Sequence, residues 1–169
     1  MPQELIEVGP EVGAVAVGHR IFGSGGQTAY EPELVTSRFI RCARPEHQQS
    51  RWFKTIARPG LVDTVDSAHS VVLKTGAYLH ADHSPIERDP NWRPGHADRV
   101  ARGTICLFHY MVKSLEEYRW KQLRFREKNL ESRYTDDFFR EHDAVGNEME
   151  NDELRRFAEP IRAMTSRWH

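Results

Sequence analysis

Four residues that could bind a metal ion or a phosphate lie close together in the segment TICLFHYMVKSLEEYRWKQLR, residues 104–124. The apolar run TICLFHY has the length of a buried strand. The sequence SLEE that begins at Ser114 is a capping box, which predicts a helix starting there. His109 and Tyr110 therefore fall at a strand end, and Lys113 and Ser114 fall at a helix N-terminus.

This junction predicts a site for a metal ion and a diphosphate. Ligands of open α/β sheets bind outside the carboxyl ends of strands, and a helix N-terminus offers free amides to phosphate. A neutral imidazole such as that of His109 binds divalent metals, and the Lys113 ammonium suits phosphate. Tyr110 and the amides after Ser114 complete the predicted site. The alternative for His109 is a ring that is hydrogen-bonded to a backbone carbonyl.

Three other parts of the chain contain candidate binding residues. The loop FGSGG, with Gly23, Ser24 and Gly25, has the composition to cradle a phosphate through its amides, or it is a connecting loop. Arg38 and Lys54 lie beside aromatic residues and would contact a diphosphate or pair with carboxylates. The stretch HADH, residues 80–83, lacks the helical context of a metal motif, so we do not expect metal there.

The elements that position these residues run from strands to helices. GAVAV (13–17) and RWFKTIARP (51–59) predict strands, and HSVVLKTGAYLHA (69–81) predicts a hairpin. GHRIFGSGG predicts a loop, ELVTSRFIRC either a strand or a short helix, and residues 84–103 a long loop. Three helices are expected: one from Ser114 to about Asn129, one after Thr135, and one within residues 152–168 that is broken or kinked at Pro160. On the first helix, Trp120 and Phe125 are expected in the core, and the rest of their face is expected to be solvated.

Composition narrows the classes of protein. The chain has 169 residues, 38% hydrophobic and 29% charged, with a formal charge of −1, which is typical of one folded domain. We expect no nucleic-acid partner and no transmembrane segment. Cys42 and Cys106 are expected as buried free thiols. A cytoplasmic location is therefore expected, with peripheral attachment to a membrane as the alternative.

Five motifs and one histidine, six features in one order, resemble family 92 and related family 2-like glycosyltransferases. LFHYMVKSLEEYRWKQLR resembles their NHYxxKSxEEyxxK segment, and IFGSGG resembles FGSSG. LVTSRF is similar to lvxERF, KTIARP to KxIxxP with His69 where a histidine follows, and DFFREHDAVGNEME to dfFxxxDxNexED. The resemblance covers about residues 14–152 and departs at three positions. Phe108 replaces an asparagine, Ser37 replaces a glutamate, and the tryptophan expected before the glycine loop is replaced, with His19 in that neighbourhood.

The resemblance implies a glycosyltransferase with a partial GT-A-like fold of the α/β class, a short mixed sheet followed by C-terminal helices in residues 130–169. It implies transfer of a sugar from a UDP-sugar to a glycan or other acceptor, with Mn²⁺ or Mg²⁺ held by His109. It also places the FGSGG loop at the acceptor and expects His69 near it, and Arg38 and Lys54 are further candidates for substrate binding.

The sequence contains no Asp-x-Asp, the motif that begins the metal site of GT-A enzymes. We therefore expect residues 1–169 to form the acceptor-side and C-terminal part of such an enzyme, without its nucleotide-binding half. The expected partner is either that missing half, supplied separately, or a second copy of the chain that associates through an uncovered TICLF strand. The alternative is a catalytically inactive remnant that serves as an interaction or sugar-binding domain.

Overall fold

The computed structural model describes residues 8–87, 92–101, 103, 105–127 and 134–165. The fold mixes α-helices and β-strands, with mainly antiparallel strand pairing and helices in the C-terminal third. The described residues group into two compact units, each made of two chain segments. Unit 1 combines those of Met1–Arg20 and Pro45–Phe108, and unit 2 combines those of Ile21–Arg44 and His109–His169.

Eight strands and four α-helices occur in the described residues. The strands are β1 Val12–Phe22, β2 Arg41–Cys42, β3 Phe53–Ala57, β4 Val62–Val65, β5 Val71–Leu73, β6 Ala77–His80, β7 Leu107–Tyr110 and β8 Met149–Glu150. The helices are α1 Val35–Arg38, α2 Leu115–Glu127, α3 Asp136–Gly146 and α4 Ala158–Thr165. Single 3₁₀ turns cover Gln48–Arg51, Pro59–Leu61 and Arg155–Phe157.

Unit 1 is organised around β1, which is buried along most of its length. β3 runs antiparallel beside it, with Ala14 opposite Ala57, and β6 runs parallel to it, with Ala16 opposite His80. A strand with neighbours on both sides and burial on both faces needs a nearly continuous apolar sequence, which VGAVAV provides. β4 and β5 form a separate antiparallel pair, while β7 also pairs with β1.

Unit 2 contains the four helices α1 to α4 and the short strand pair of β2 and β8, and an aromatic core lies between α2 and α3. Phe22, at the end of β1, pairs with Cys42 of β2, and β2 pairs antiparallel with β8. Tyr118 of α2 is fully buried and packs with Tyr134 and with Phe138 and Phe139 of α3. Tyr118 and Phe125, two helical turns apart on α2, and the α3 side chains of Phe138 and Phe139 therefore join these helices.

Several predicted elements differ from the structure. β1 continues through Phe22 instead of ending at Val17, because the end of the strand is buried and pairs with β2. The predicted hairpin of residues 69–81 is wrong, since β5 pairs with β4 and β6 pairs with β1. A turn does separate β5 from β6 at Gly76, whose φ of 94° favours glycine. ELVTSRFIRC, left open between strand and helix, contains both α1 and β2.

Two predictions of burial are also wrong. Cys42 is buried, but Cys106 is exposed, and Leu107 of β7 is 36% exposed. Trp120, expected in the core, is 43% exposed because it lies on the opposite side of α2 from the main aromatic contacts of Tyr118. The predicted break at Pro160 is wrong: α4 runs from Ala158 through Pro160, which falls in its first turn, where proline is tolerated, and the 3₁₀ turn lies before α4.

The helix after Ser114 is confirmed as α2, and the helix after Thr135 as α3. The predicted helix end near Asn129, Thr104 of the apolar run and residues 166–168 lie outside the described residues. None of the helices that the structure describes combines the length and the apolar character that a membrane span requires.

Candidate anion-binding site

A cavity of about 610 Å³ lies in unit 2, where β7 ends and α2 begins. Its charged lining residues are Lys113, Glu117, Lys121 and Arg124, and its aromatic ones are Tyr110, Trp120 and Phe125. Met111 and Val112 complete the described lining. The volume falls within the range of roughly 300–1,000 Å³ that is usual for small-ligand sites.

The helical repeat of α2 brings these side chains together. Positions 113, 117, 120, 121 and 124 are separated by three or four residues, so they follow one side of the helix and the turn before it. Lys113 has a φ of 57°, in the left-handed region that residues other than glycine rarely adopt. This backbone turn redirects the chain from β7 into the helix, and it places the Lys113 ammonium at the start of the stripe.

The Ser114 cap of α2 is confirmed, but the described bond of the Glu117 side chain is to the Ser114 hydroxyl, where a capping box has it at the Ser114 backbone N–H. The Ser114 hydroxyl is fully buried; it accepts from the Glu117 backbone N–H at 3.3 Å and donates to the Glu117 carboxylate at 2.8 Å. The next amides are also engaged, because Leu115 N–H donates to the Gln27 carbonyl at 3.2 Å and Glu116 N–H donates to the Thr28 carbonyl at 3.0 Å. These amides are not open to a phosphate, contrary to the expectation from sequence, and side chains must hold any anion.

Glu117 is the carboxylate at the centre of the lining, and it is held by two cations. Its carboxylate lies 3.0 Å from the Arg38 guanidinium and 3.5 Å from the Lys113 ammonium. Burial by itself would raise the pKa of Glu117, but the Ser114 hydrogen bond and the charges of Arg38 and Lys113 outweigh it and hold the pKa below its ordinary value. Arg38 therefore pairs with a carboxylate inside the protein, which was one of its two predicted roles.

The cations of the lining differ in how fully other groups of the protein bind them. Lys121 donates to the Met111 carbonyl at 3.2 Å, and its ammonium lies 4.1 Å from the centre of the Tyr134 ring. Lys113 is 39% exposed even with Glu117 beside it, and Arg124 is exposed. Lys113 and Arg124 thus present charge to the cavity from its two ends along the helix.

Tyr110 contributes a neutral hydroxyl. Its ring centroid lies 4.7 Å from that of Phe22 and 6.3 Å from that of Phe39. Burial, with a smaller contribution from the Cys42 thiol, raises the pKa of Tyr110 to about 12. The phenol therefore stays protonated near neutral pH and acts as a hydrogen-bond donor.

His109 lies in β7 and is half-buried, and the described lining of the cavity does not include it. Among the described residues, no three His, Cys, Asp or Glu side chains are grouped so that they could hold a metal ion. The described residues alone therefore supply no group of three such ligands, and binding of Mn²⁺ or Mg²⁺ by His109 stays a prediction.

The predicted residues of unit 1 contact backbone carbonyls. The Lys54 ammonium donates to the Ala68 carbonyl at 2.7 Å, and His69 Nδ1 lies 3.0 Å from the Phe53 carbonyl oxygen. The His69 ring also contacts Trp52 and His19, with centroid distances of 5.5 and 6.2 Å. These contacts fix both side chains in place within unit 1.

The amides of the FGSGG loop are already hydrogen-bonded within unit 2. Ser24 N–H donates to Asp143 Oδ1 at 2.6 Å, and Gly25 N–H donates to Asn147 Oδ1 at 2.8 Å. A Cβ at Gly23 would lie 2.7 Å from the backbone carbonyl carbon of Gly146, so this close backbone approach requires glycine. The loop does form an amide cradle, but side chains of α3 and its C-terminal end occupy it.

Two residues of HADH, His80 and Asp82, form side-chain pairs. His80 Nε2 lies 2.9 Å from Asp98 Oδ1, and Asp82 pairs with Arg99 at 2.9 Å. Burial would raise the pKa of Asp82, but hydrogen bonds from Ser84 and Arg99 outweigh it and lower the pKa to about 2. The structure thus gives these residues a role in structural pairing.

Sequence reasoning included Tyr110 and Lys113 but missed Glu117, Trp120, Lys121 and Arg124 as lining residues. A signal was present in the helical spacing of charged and aromatic positions after Lys113. It was read as a solvated helix face, because the spacing alone does not show that a cavity lies beside it.

No family model, curated protein or solved structure matches the chain.

Proposed function

We propose that the cavity of unit 2 binds the diphosphate of a nucleotide sugar, and that the chain is a glycosyltransferase, or the C-terminal part of one, with a GT-A-like arrangement. One observation carries the proposal: Lys113, Lys121 and Arg124 line the same cavity as Tyr110 and Trp120. Cations beside aromatic rings suit a ligand that combines phosphates with sugar or base rings. The cavity also lies within the segment with the longest resemblance to the family.

Contacts among the motifs support the same proposal. Arg38 of LVTSRF pairs with Glu117 of KSLEE, and Ser24 of FGSGG donates to Asp143 of DFFREHDAVGNE. These four motifs come from two segments that lie far apart in the sequence, Ile21–Arg44 and His109–His169, yet unit 2 brings them into contact. A shared structural role for all of them would explain why they occur together.

The chemistry assigned to the chain's own residues is binding and charge stabilisation. The Lys113 ammonium neutralises charge on the diphosphate, which becomes the leaving group when the bond to the sugar breaks. Tyr110, protonated near neutral pH, donates a hydrogen bond to a phosphate or sugar oxygen. Arg124 offers a planar pair of N–H groups to an anionic oxygen pair. A divalent metal at His109, which the resemblance implies, would add further charge neutralisation to the diphosphate.

A second candidate function is ligand binding without transfer. Glu117 is the carboxylate of the described lining, and its lowered pKa makes it a weak base. Ser37, at the position of the family's glutamate, supplies no carboxylate either. A domain that binds a nucleotide sugar or glycan, with no general base of its own, accounts for both observations.

Calorimetric titration of the purified chain with UDP and a UDP-sugar tests the proposal. Lys113→Gln should weaken UDP binding about tenfold or more, since one charge-assisted contact contributes about 1.5–3 kcal/mol. Arg140→Gln is the control, because Arg140 is an exposed cation on α3 that pairs with Asp137. Absence of UDP binding, or equal losses in both variants, would refute the proposal.

Product analysis separates the two candidate functions. Incubation with a UDP-sugar and candidate acceptors should release UDP and yield a glycosylated product if the chain is a transferase. Tight binding without UDP release would favour the non-catalytic function.

A further inference from the structure

Trp120 combines exposure with a position at the cavity. Its side chain is 43% exposed and also lines the cavity, one helical turn before Arg124. Single exposed aromatic residues are common on protein surfaces, so the exposure alone carries no argument. The neighbours of Trp120 are what suggest a specific ligand.

A second exposed ring adjoins Trp120. The Tyr30 ring, in a residue that is 47% exposed, has its centroid 5.4 Å from that of Trp120 at an interplanar angle of 49°. Tyr30 is fixed in place, because its backbone N–H donates to Glu116 Oε2 at 2.7 Å and the Arg38 guanidinium lies 5.5 Å from its ring centre. The Tyr30–Trp120 pair is therefore an aromatic surface held on α2.

Positive charge dominates the part of the cavity next to this pair. Glu117 is neutralised by Arg38 and Lys113, while Lys121 is directed to the Met111 carbonyl. Arg124 follows Trp120 by four residues, so both side chains project from the same side of the helix. Its guanidinium is exposed and matches the geometry of a carboxylate or phosphate.

We propose that Trp120, supported by Tyr30, and Arg124 form a subsite for a sugar ring that carries an anionic group, either a carboxylate or a phosphate. The apolar face of the ring packs on the indole, and the anionic group binds the Arg124 guanidinium. From the first turn of α2 to Arg124 the helix rises roughly 14 Å, at about 1.5 Å per residue. This length leaves room for a diphosphate near Lys113 and a sugar ring near Trp120.

The inference deepens the proposed function, because the acidic sugar would be the acceptor of the transferred sugar. Only this acceptor role rests on the proposed function. Binding of the acidic sugar to Trp120 and Arg124 does not require the diphosphate site. The two proposals can therefore fail separately.

Nuclear magnetic resonance of the full chain provides the test. The chain has four tryptophans, and the indole N–H signal of Trp120 is identified by its loss in Trp120→Phe. Titrations use methyl β-glucuronide, glucose 6-phosphate, methyl β-glucoside as the neutral sugar, and UDP. An acidic sugar should shift the Trp120 signal and bind about tenfold more tightly than the neutral sugar, as expected for one charge-assisted contact.

Variants assign the two halves of the subsite. Trp120→Ala should weaken binding of the acidic sugar about tenfold or more, while Trp120→Phe, which keeps an aromatic face, should retain most of it. Arg124→Gln should abolish the preference for the acidic over the neutral sugar, and Arg124→Lys should retain part of it. Leu123→Ala is the matched control: Leu123 is 53% exposed on the same helix and is absent from the described lining.

Each outcome decides the inference. Binding of the glucuronide but not of glucose 6-phosphate supports a carboxylate ligand, and the reverse supports a phosphate ligand. A Trp120 signal that moves with UDP but with neither acidic sugar overturns the inference and leaves the proposed function intact. If the acidic sugars bind and UDP does not bind, the inference is supported and the proposed function is refuted. Equal binding of neutral and acidic sugars, or an equal loss in Leu123→Ala, overturns the inference.

Discussion

At the scale of single residues, Glu117 connects the stability of unit 2 with the charge of its cavity. Its carboxylate accepts from Ser114, pairs with the buried Arg38, whose side chain is 3% exposed, and pairs with the more exposed Lys113. A buried arginine without its carboxylate would lose its charge partner, which is costly in a region of low dielectric. The same carboxylate offsets much of the positive charge at the Lys113 end of the cavity.

Glu117→Gln should destabilise the protein by about 3 kcal/mol, because it keeps the shape of the side chain but leaves the Arg38 charge unpaired. The measurement is urea denaturation followed by circular dichroism. Asp137→Asn is the control, since it removes the carboxylate of an ion pair whose two side chains are 76% and 70% exposed. That substitution should leave the unfolding midpoint almost unchanged. Equal effects of the two substitutions would show that the buried Arg38–Glu117 pair contributes no more to stability than the exposed pair does.

The advantage of the wild type over Glu117→Gln should depend on pH. The pKa of Glu117 is lowered in the folded state from an ordinary value of 4.5, so its stabilisation is complete above about pH 4.5. Below this value the unfolded chain takes up the proton first, and the stabilisation is lost as the pH falls through the folded-state pKa. Asp82 titrates alike in both proteins, so its contribution cancels in the difference. A difference in unfolding free energy that stays constant from pH 7 to pH 3 would contradict this assignment.

At the scale of elements, the sequence predicted the helices better than the strand pairing. α2 and α3 follow from local chemistry, since Ser114 and Thr135 each cap the helix that begins next to them. The partners of β5 and β6 do not follow from local chemistry. The turn at Gly76 resembles a hairpin turn, but the Ala77 N–H donates to the Glu11 carbonyl, and this contact directs β6 to β1. Such a choice depends on residues more than 60 positions apart.

Two serine-to-alanine substitutions should have different effects on stability. Ser114→Ala removes the N-cap of α2 and should destabilise by about 1 kcal/mol. Ser37→Ala removes a buried hydroxyl that has no hydrogen-bond partner among the described residues, so it should be neutral or slightly stabilising. Thermal unfolding of the two variants side by side is the measurement. If Ser114→Ala melts like the wild type, the buried cap contributes nothing to the stability of α2.

The candidate site was predictable only in part, for the same physical reason. The strand end and the helix start placed Tyr110 and Lys113 correctly at a junction, because both signals are local. The occupation of the first amides of α2 by the Gln27 and Thr28 carbonyls was not predictable, since those residues lie almost 90 positions earlier. For the same reason, the cavity beside Trp120 and Arg124 could not be distinguished from open solvent.

At the scale of the whole molecule, each unit is assembled from two segments that are not adjacent in the chain. In unit 2 the first segment, residues 21–44, supplies β2, Arg38 and the FGSGG loop, and the second supplies α2, α3 and β8. Contacts between these segments include the β2–β8 pairing and the Arg38–Glu117 ion pair. Neither segment alone can satisfy these groups. Self-association of the full chain, expected from sequence, stays a prediction that light scattering can test.

A polypeptide of residues 109–169 alone should therefore lack a cooperative thermal transition. Without residues 21–44, it leaves Glu117 without Arg38, β8 without β2, and the α2 amides without the Gln27 and Thr28 carbonyls. Adding a synthetic peptide of residues 21–44 should increase the helical circular dichroism and restore a cooperative transition. The same peptide with Arg38→Gln is the control and should bind at least tenfold more weakly, because it cannot form the buried ion pair. If residues 109–169 alone unfold cooperatively with the midpoint of the full chain, the second segment is stable without the first. Equal binding of the two peptides would show instead that the ion pair does not join the segments.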